Sequence, residues 1–272
     1  MHFQTRPLLE NFGAEIFDVD LTQVDEDMAE AILSAVHKHA LLLFRRQSLH
    51  DEDIYRLSAA LGPVEEPPAA KDNHSPDFKS IVYLANINSL DGTLIRGNFV
   101  DKTDSGWHSD QAYRKNPATL STLFCVIAPE SGGSTSFAST RMGYESLPPE
   151  LKNCLENMKV RYSPGASHGV PDIEVTHPAV LVNPESGTRT LYVGPGARGF
   201  EGLDDAEGRA LKEELLSYQF RPEHIYRHNW RMGDMLIYDN AHFLHRRDAF
   251  EGIRFHKATR LYLSSDQFAV PD

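Results

Sequence analysis

Cysteine is nearly absent from this sequence, with only Cys125 and Cys154 among 272 residues. Two cysteines cannot build a disulfide framework, and without a Cys-x-x-Cys spacing neither a zinc knuckle nor a dithiol redox motif is present. Positive charge is also in short supply. The 27 Lys and Arg residues against 39 Asp and Glu give a net charge of −12, which argues against a nucleic-acid surface, because phosphate binding needs a clustered basic excess. Long apolar runs are missing as well. No segment approaches the roughly 20 apolar residues that span a bilayer. Met1 to Asp20 is broken by Arg6, Glu10, Glu15 and Asp18, so it lacks the apolar stretch of a signal peptide. A cytoplasmic protein with no membrane partner and no nucleic-acid partner is expected.

Hydrophobic residues at 40% and charged residues at 24% are ordinary for a folded chain. The length suits one large core, so residues 1–272 are read as a single domain. The first sixty residues read as strand, helix, strand, helix. Val24 to His39 carries a helical stripe of Met28, Ile32, Ala35 and Val36, with Thr22 as N-cap and acidic residues in the first turn. Ala40 to Phe44 is apolar throughout and too short for a helix, hence a buried strand; Ser48 to Leu61 is a second helix stopped by Gly62-Pro63.

Strand-like runs then dominate: Ile81–Leu84, Leu120–Ile127, Ala179–Val182, Thr190–Val193, Met235–Tyr238 and Ile253–Leu263. Asn183 to Thr188 reads as a hairpin loop with Gly187 at positive φ. Helices are expected at Pro148–Met158 and Asp204–Tyr218. Many short strands with few helices point to a mostly β chain with flanking helices, a jelly roll or sandwich. Pro67–Pro76 and Asn88–Ser105 are polar, aperiodic stretches of the kind that form functional loops.

Chemistry first appears at Trp107-His-Ser-Asp110. On a strand, residues two apart share a face, so His108 and Asp110 can offer an imidazole nitrogen and a carboxylate oxygen to one ion. Alone, such a pair arises readily by chance among 13 histidines. A third ligand is sought after the strand at Met235, where His242 and His245 both stand. Two neutral imidazoles and one carboxylate leave three coordination positions open, which suits an Fe(II) oxygenase better than structural zinc.

These residues resemble the taurine dioxygenase and chlorophenoxyacetate dioxygenase family of Fe(II)/2-oxoglutarate-dependent oxygenases. The resemblance is carried by Gly13-Ala-Glu-Ile16, Leu43-Phe-Arg-Arg-Gln-Ser-Leu49, Leu61-Gly-Pro-Val64, Trp107 to Tyr113, Gly132-Gly-Ser-Thr-Ser-Phe137, His177-Pro178, Gly233-Asp234, Tyr238-Asp-Asn240 and Leu244-His-Arg246, in the family's order. It implies a double-stranded β-helix, a jelly roll like that of clavaminate synthase. It implies His245 rather than His242 as the third metal ligand beside His108 and Asp110. It further implies Thr135 and an arginine as the grip on the distal carboxylate of the cosubstrate 2-oxoglutarate. Matching Arg-x5-Arg-Leu makes that arginine Arg254, whereas counting without a gap puts His256 there and Arg260 at the family's second arginine. Arg260 is thus second choice, or a contact to a substrate carboxylate. Ala241 and Tyr238 depart from the family's usual arginine and tryptophan.

The activity implied is oxidation of a small, anionic organic substrate by O2, with 2-oxoglutarate converted to succinate and CO2, in a chain that can form a homo-oligomer. Asn88–Asp104 and the region around Phe200 are candidate walls of the substrate site. Two other readings compete. A metal-binding jelly roll without turnover would use the same ligands. Gly194-Pro-Gly-Ala-Arg-Gly199 has the spacing of a dinucleotide-binding loop, but it lacks the following helix and the βαβ frame.

Overall fold

A computed structural model describes residues 3–66, 73–87, 103–164, 172–184 and 186–262. Of the two long polar stretches, 67–72 and 88–102 lie outside the described residues. The chain opens with β1 (Gln4–Pro7), β2 (Ala14–Phe17), α1 (Glu26–His39), β3 (Leu41–Phe44) and α2 (Asp51–Leu61). It continues through β4 (Val82–Ala85), β5 (Leu120–Ile127), β6 (Ser131–Gly132), β7 (Thr135–Ser139), α3 (Thr140–Glu145) and α4 (Pro149–Leu155). Next come β8 (Lys159–Tyr162), β9 (Val175–Pro178), β10 (Val180–Val182), β11 (Arg189–Leu191), β12 (Gly199–Phe200) and α5 (Asp205–Gln219). The last strands are β13 (Ile225–His228), β14 (Met235–Asp239), β15 (Phe243–Arg247), β16 (Phe250–Glu251) and β17 (Phe255–Leu261).

The main sheet runs β1-β2-β3-β14-β5-β17-β4, antiparallel except where β2 meets β3. Its two faces are both covered. On one face α1 and α2 press Ile32, Val36, Ile54 and Leu57 onto Leu42, Phe44, Phe124 and Ile237. On the other, Leu41, Leu43, Leu123, Leu236 and Ala258 meet Phe137 and Phe243 from a second sheet, β13-β7-β15. Double coverage explains why β3 is Leu-Leu-Leu-Phe without alternation: every side chain of it is buried. A third core lies under α5, where Phe200, Leu215, Val160 and Leu191 pack together. The protein is therefore mostly sheet with few helices.

Several boundaries moved. α1 is capped by Asp25, whose carboxylate accepts from Met28 N at 2.9 Å, and not by Thr22. Thr22 is held instead in a separate short turn by Asp20, which takes both its N–H and its hydroxyl. His108 and Asp110 are not on a strand. His108 forms an isolated bridge with His245, and Asp110 starts a turn whose next residue, Gln111, has φ +60°. The hairpin at 183–188 turns with Gly187 at φ +66°, as its sequence requires. Gly199 leads into a two-residue strand rather than a helix, so the glycine-rich stretch lacks a dinucleotide-binding frame. Phe200 is 1% exposed in the third core. Among the described residues, no helix is long and apolar enough to cross a membrane.

Candidate metal and keto-acid site

The first and last chemical residues of the chain meet through their backbones. His108 N donates to His245 O at 2.9 Å and His245 N donates to His108 O at 2.7 Å. Asp110 lies two residues beyond, and the three side chains bring one ligand atom each within 4.8 Å of one another. His242, the other candidate, is elsewhere: its Nδ1 lies 3.0 Å from Asp239 Oδ2 in a buried pair.

Each member is held in a definite state. His108 Nδ1 donates to Gly106 O at 3.1 Å, a carbonyl that can only accept, which turns Nε2 toward Asp110, 4.0 Å from its Oδ1. His245 is packed between Phe137 and Tyr238, and burial together with the neighbouring His108 pushes its pKa down to about 3. It is a neutral imidazole, with Nδ1 buried and unpartnered among the described residues. Burial would raise the Asp110 carboxyl, but the charge and hydrogen bonds of Arg260 outweigh that and hold it well below the usual carboxylate range. Arg260 donates from Nε to Oδ2 at 3.0 Å and from Nη2 to Oδ1 at 3.1 Å.

The fork sets Arg260 against the candidate metal ligand Asp110 and uses two of its five N–H groups. A carboxylate has about four lone-pair sites, so Asp110 keeps capacity for an ion. The Asp110 backbone is clamped by Asn240, which is fully buried: Asp110 N donates to its Oδ1 at 3.0 Å, and its Nδ2 donates to Asp110 O at 2.8 Å and Ala118 O at 2.9 Å. Trp107 is fixed between Arg246 above its ring and Phe220 beside it. In the sequence Asn240 and Trp107 stand only as motif letters, because their partners lie far away in the chain.

Thr135 and Arg254 sit deeper. Thr135 is 3% exposed, not a solvent-facing strand residue, and its Oγ1 accepts from Trp230 Nε1 at 2.9 Å. Register places Thr135 opposite Arg247 and Phe137 opposite His245. Thr135 and Phe137 share a face, so the threonine lies about 7 Å along the strand from the ring stacked on His245. Arg254 is 4% exposed just before β17. Its Nη1 donates to Leu84 O at 3.1 Å, its Nε has no partner, and among the described residues no carboxylate pairs with it. Burial and the neighbouring Arg247 push its pKa down to about 9.

A family model described as "Taurine catabolism dioxygenase TauD, TfdA family" matches residues 4–262. The chain belongs to this family. Among TauD/TfdA relatives, it is 32% identical to an alpha-ketoglutarate-dependent 2,4-dichlorophenoxyacetate dioxygenase of Cupriavidus pinatubonensis, over 90% of this chain and 92% of that one. It is 30% identical to an (S)-phenoxypropionate/alpha-ketoglutarate-dioxygenase of Sphingobium herbicidovorans, over 90% and 88%. A solved taurine dioxygenase from Burkholderia xenovorans superposes with a TM-score of 0.82 at 27% identity, covering 95% of this chain and 89% of that one. As a TauD/TfdA member the chain is a dioxygenase dependent on alpha-ketoglutarate, that is 2-oxoglutarate, acting on a small molecule with O2.

Proposed function

We propose that His108, Asp110 and His245 hold one Fe(II) ion, and that the chain uses it to oxidise a small organic anion while 2-oxoglutarate becomes succinate and CO2. The carrying observation is the convergence of the three ligand atoms within 4.8 Å. The donor set fits: two neutral imidazole nitrogens and one carboxylate oxygen, leaving open positions of the kind Fe(II) oxygenases use. When bound, the iron supplies O2 activation coupled to keto-acid decarboxylation. The protein's own residues position and exclude water. Arg260 and Asn240 fix Asp110, the Gly106 carbonyl fixes His108, and Phe137 and Tyr238 wall His245.

Thr135 and Arg254 are the proposed grip on the distal carboxylate of 2-oxoglutarate. A buried guanidinium without an acidic partner is costly, and an arriving carboxylate relieves that cost. The two packed sheets, with strands drawn from Gln4 to Leu261, support a jelly-roll, double-stranded β-helix architecture and a single domain spanning 1–272. An anionic substrate is supported by the relatives' names, since phenoxyacetate and phenoxypropionate are carboxylates.

Anaerobic loading with Fe(II) and 2-oxoglutarate, followed by O2 and a panel of aryloxy acids, sulfonates and sulfate esters, tests the reading. Substrate-triggered succinate is expected, and His245→Ala is expected to abolish both succinate formation and tight Fe(II) binding. Tight, stoichiometric iron binding with no succinate from any substrate would favour the non-catalytic metal-binding reading instead.

A further inference from the structure

Glu65 is a buried carboxylate that the site described so far does not use. Both its oxygens are engaged: Gln111 Nε2 donates to Oε2 at 2.6 Å, and Arg114 Nη1 donates to Oε1 at 2.6 Å. Its backbone is tied to the other side of the site, where Glu65 N donates to Arg260 O at 2.7 Å beside the bridge of Val64 with Leu261. Glu65 thus holds both halves of the Arg260–Asp110 fork, one through the Arg260 main chain and the other through the residue that follows Asp110. That residue needs holding. Gln111 has φ +60°, the left-handed region that a residue with a Cβ rarely adopts, so the turn that aims Asp110 is not one its backbone favours alone. The Gln111 carboxamide supplies the constraint. Its Nε2 bonds to Glu65, while its Oε1 accepts from Ala118 N at 3.1 Å and from the Tyr262 hydroxyl at 3.3 Å. Ala118 N can only donate and the carboxylate of Glu65 accepts, so the amide has one orientation that satisfies both ends.

We propose that Glu65 is a positioning residue for the metal ligand Asp110: through Gln111 it clamps the left-handed turn that sets where the Asp110 carboxylate stands relative to His108 and His245. The proposal rests on the reading of those three residues as iron ligands, and adds a side chain that offers the ion no ligand atom of its own. The clamp depends on a carboxylate facing an amide. Gln111→Glu sets two carboxylates against each other and drives the turn apart, whereas adding Glu65→Gln restores an amide-to-carboxylate bond in the reverse sense with the net charge of the parent. Sign separates the clamp from plain electrostatics: an extra negative charge near the site would by itself tighten a cation, while a displaced Asp110 loosens it.

Metal affinity would be measured by competition with a chelator, using Fe(II) under argon, and the ligand geometry by the visible absorption of the Co(II)-loaded chain. Gln111→Glu is expected to weaken Fe(II) binding about 10- to 100-fold, the range for losing a group that orients a ligand, and to shift the Co(II) bands. Gln111→Glu combined with Glu65→Gln is expected to recover most of the affinity and the parent spectrum. Gln111→Gly provides a variant without charge change whose backbone accepts the positive φ, so it folds without strain even if Gln111→Glu does not, and the same loss of affinity is expected as the grip of Glu65 is removed. Unchanged or tighter Fe(II) binding in Gln111→Glu, no recovery in the double variant, or an unaltered affinity and spectrum in Gln111→Gly overturns the proposal while the metal site stands. If the wild-type chain binds neither Fe(II) nor Co(II), the metal reading falls and takes the proposal with it.

Discussion

At the scale of single residues, the group that governs the site without touching an ion is Asn240. Its amide spans three backbone groups of the loop from Asp110 to Ala118, and it is fully buried, so no water can substitute. Asn240→Ala leaves the Asp110 N–H and two carbonyls unsatisfied, which should cost about 2–4 kcal/mol of stability. The loosened Asp110 should also weaken metal binding about 10- to 100-fold, the usual effect of losing a group that orients a ligand. Thermal unfolding and competition with a chelator measure the two effects, and an unchanged metal affinity would refute the clamp. The letters of this clamp were legible in the sequence, but its function was not. Asn240 and Asp110 are 130 residues apart, and the pairing of β14 with β5 and the His108–His245 bridge on either side bring them together. The same limit hid the fork of Arg260 on Asp110, because strand spacing gives a residue's face and says nothing of what lies opposite.

At the scale of elements, the legible ones were those whose burial wrote a simple pattern. β3, β5 and β14 are apolar runs because both faces of the main sheet are covered. α5 begins at its acidic N-cap Asp204, where the sequence placed the start of that helix. The His108–Asp110 segment misled because a period-two spacing mimics a strand, whereas a bridge and a turn create the geometry. The link from β6 to β7, which delivers Thr135, is a second case where backbone decides. Gly132 has φ +71°, and a Cβ there would lie 2.2 Å from Ala249 O. Gly132→Ala therefore meets both strain and a backbone clash, and should push β6 off β16. A loss of about 2–3 kcal/mol is expected, with weakened 2-oxoglutarate binding as Thr135 shifts. Denaturation and calorimetry on the variant check both, and a variant as stable as the parent would show that the two short strands do not constrain the site.

At the scale of the whole molecule, the interior stores uncharged histidine. His245, His256 and His228 are all buried, and burial is the leading cause that lowers each of them below the ordinary value of 6.5. The sign follows from proton counting. Below about pH 6.5 the unfolded chain binds protons at these positions and the folded chain does not, so stability falls as pH falls, by up to about 1.4 kcal/mol per pH unit for each such histidine. Asp110 and Asp239 are lowered from 3.8, so their contribution is lost only as pH falls through that value and beyond. Between pH 6.5 and 4.5 the histidines dominate. Urea midpoints of the chelator-treated chain should be level from pH 8 to 7 and then drop steeply toward pH 5. His256→Gln should make that drop shallower by about one proton, because glutamine binds none. Added metal should raise the midpoints across this range, since the ion binds the folded state. A flat profile from pH 8 to pH 5 would mean that the interior admits protons, and the neutral imidazole that His245 offers to an ion would not exist.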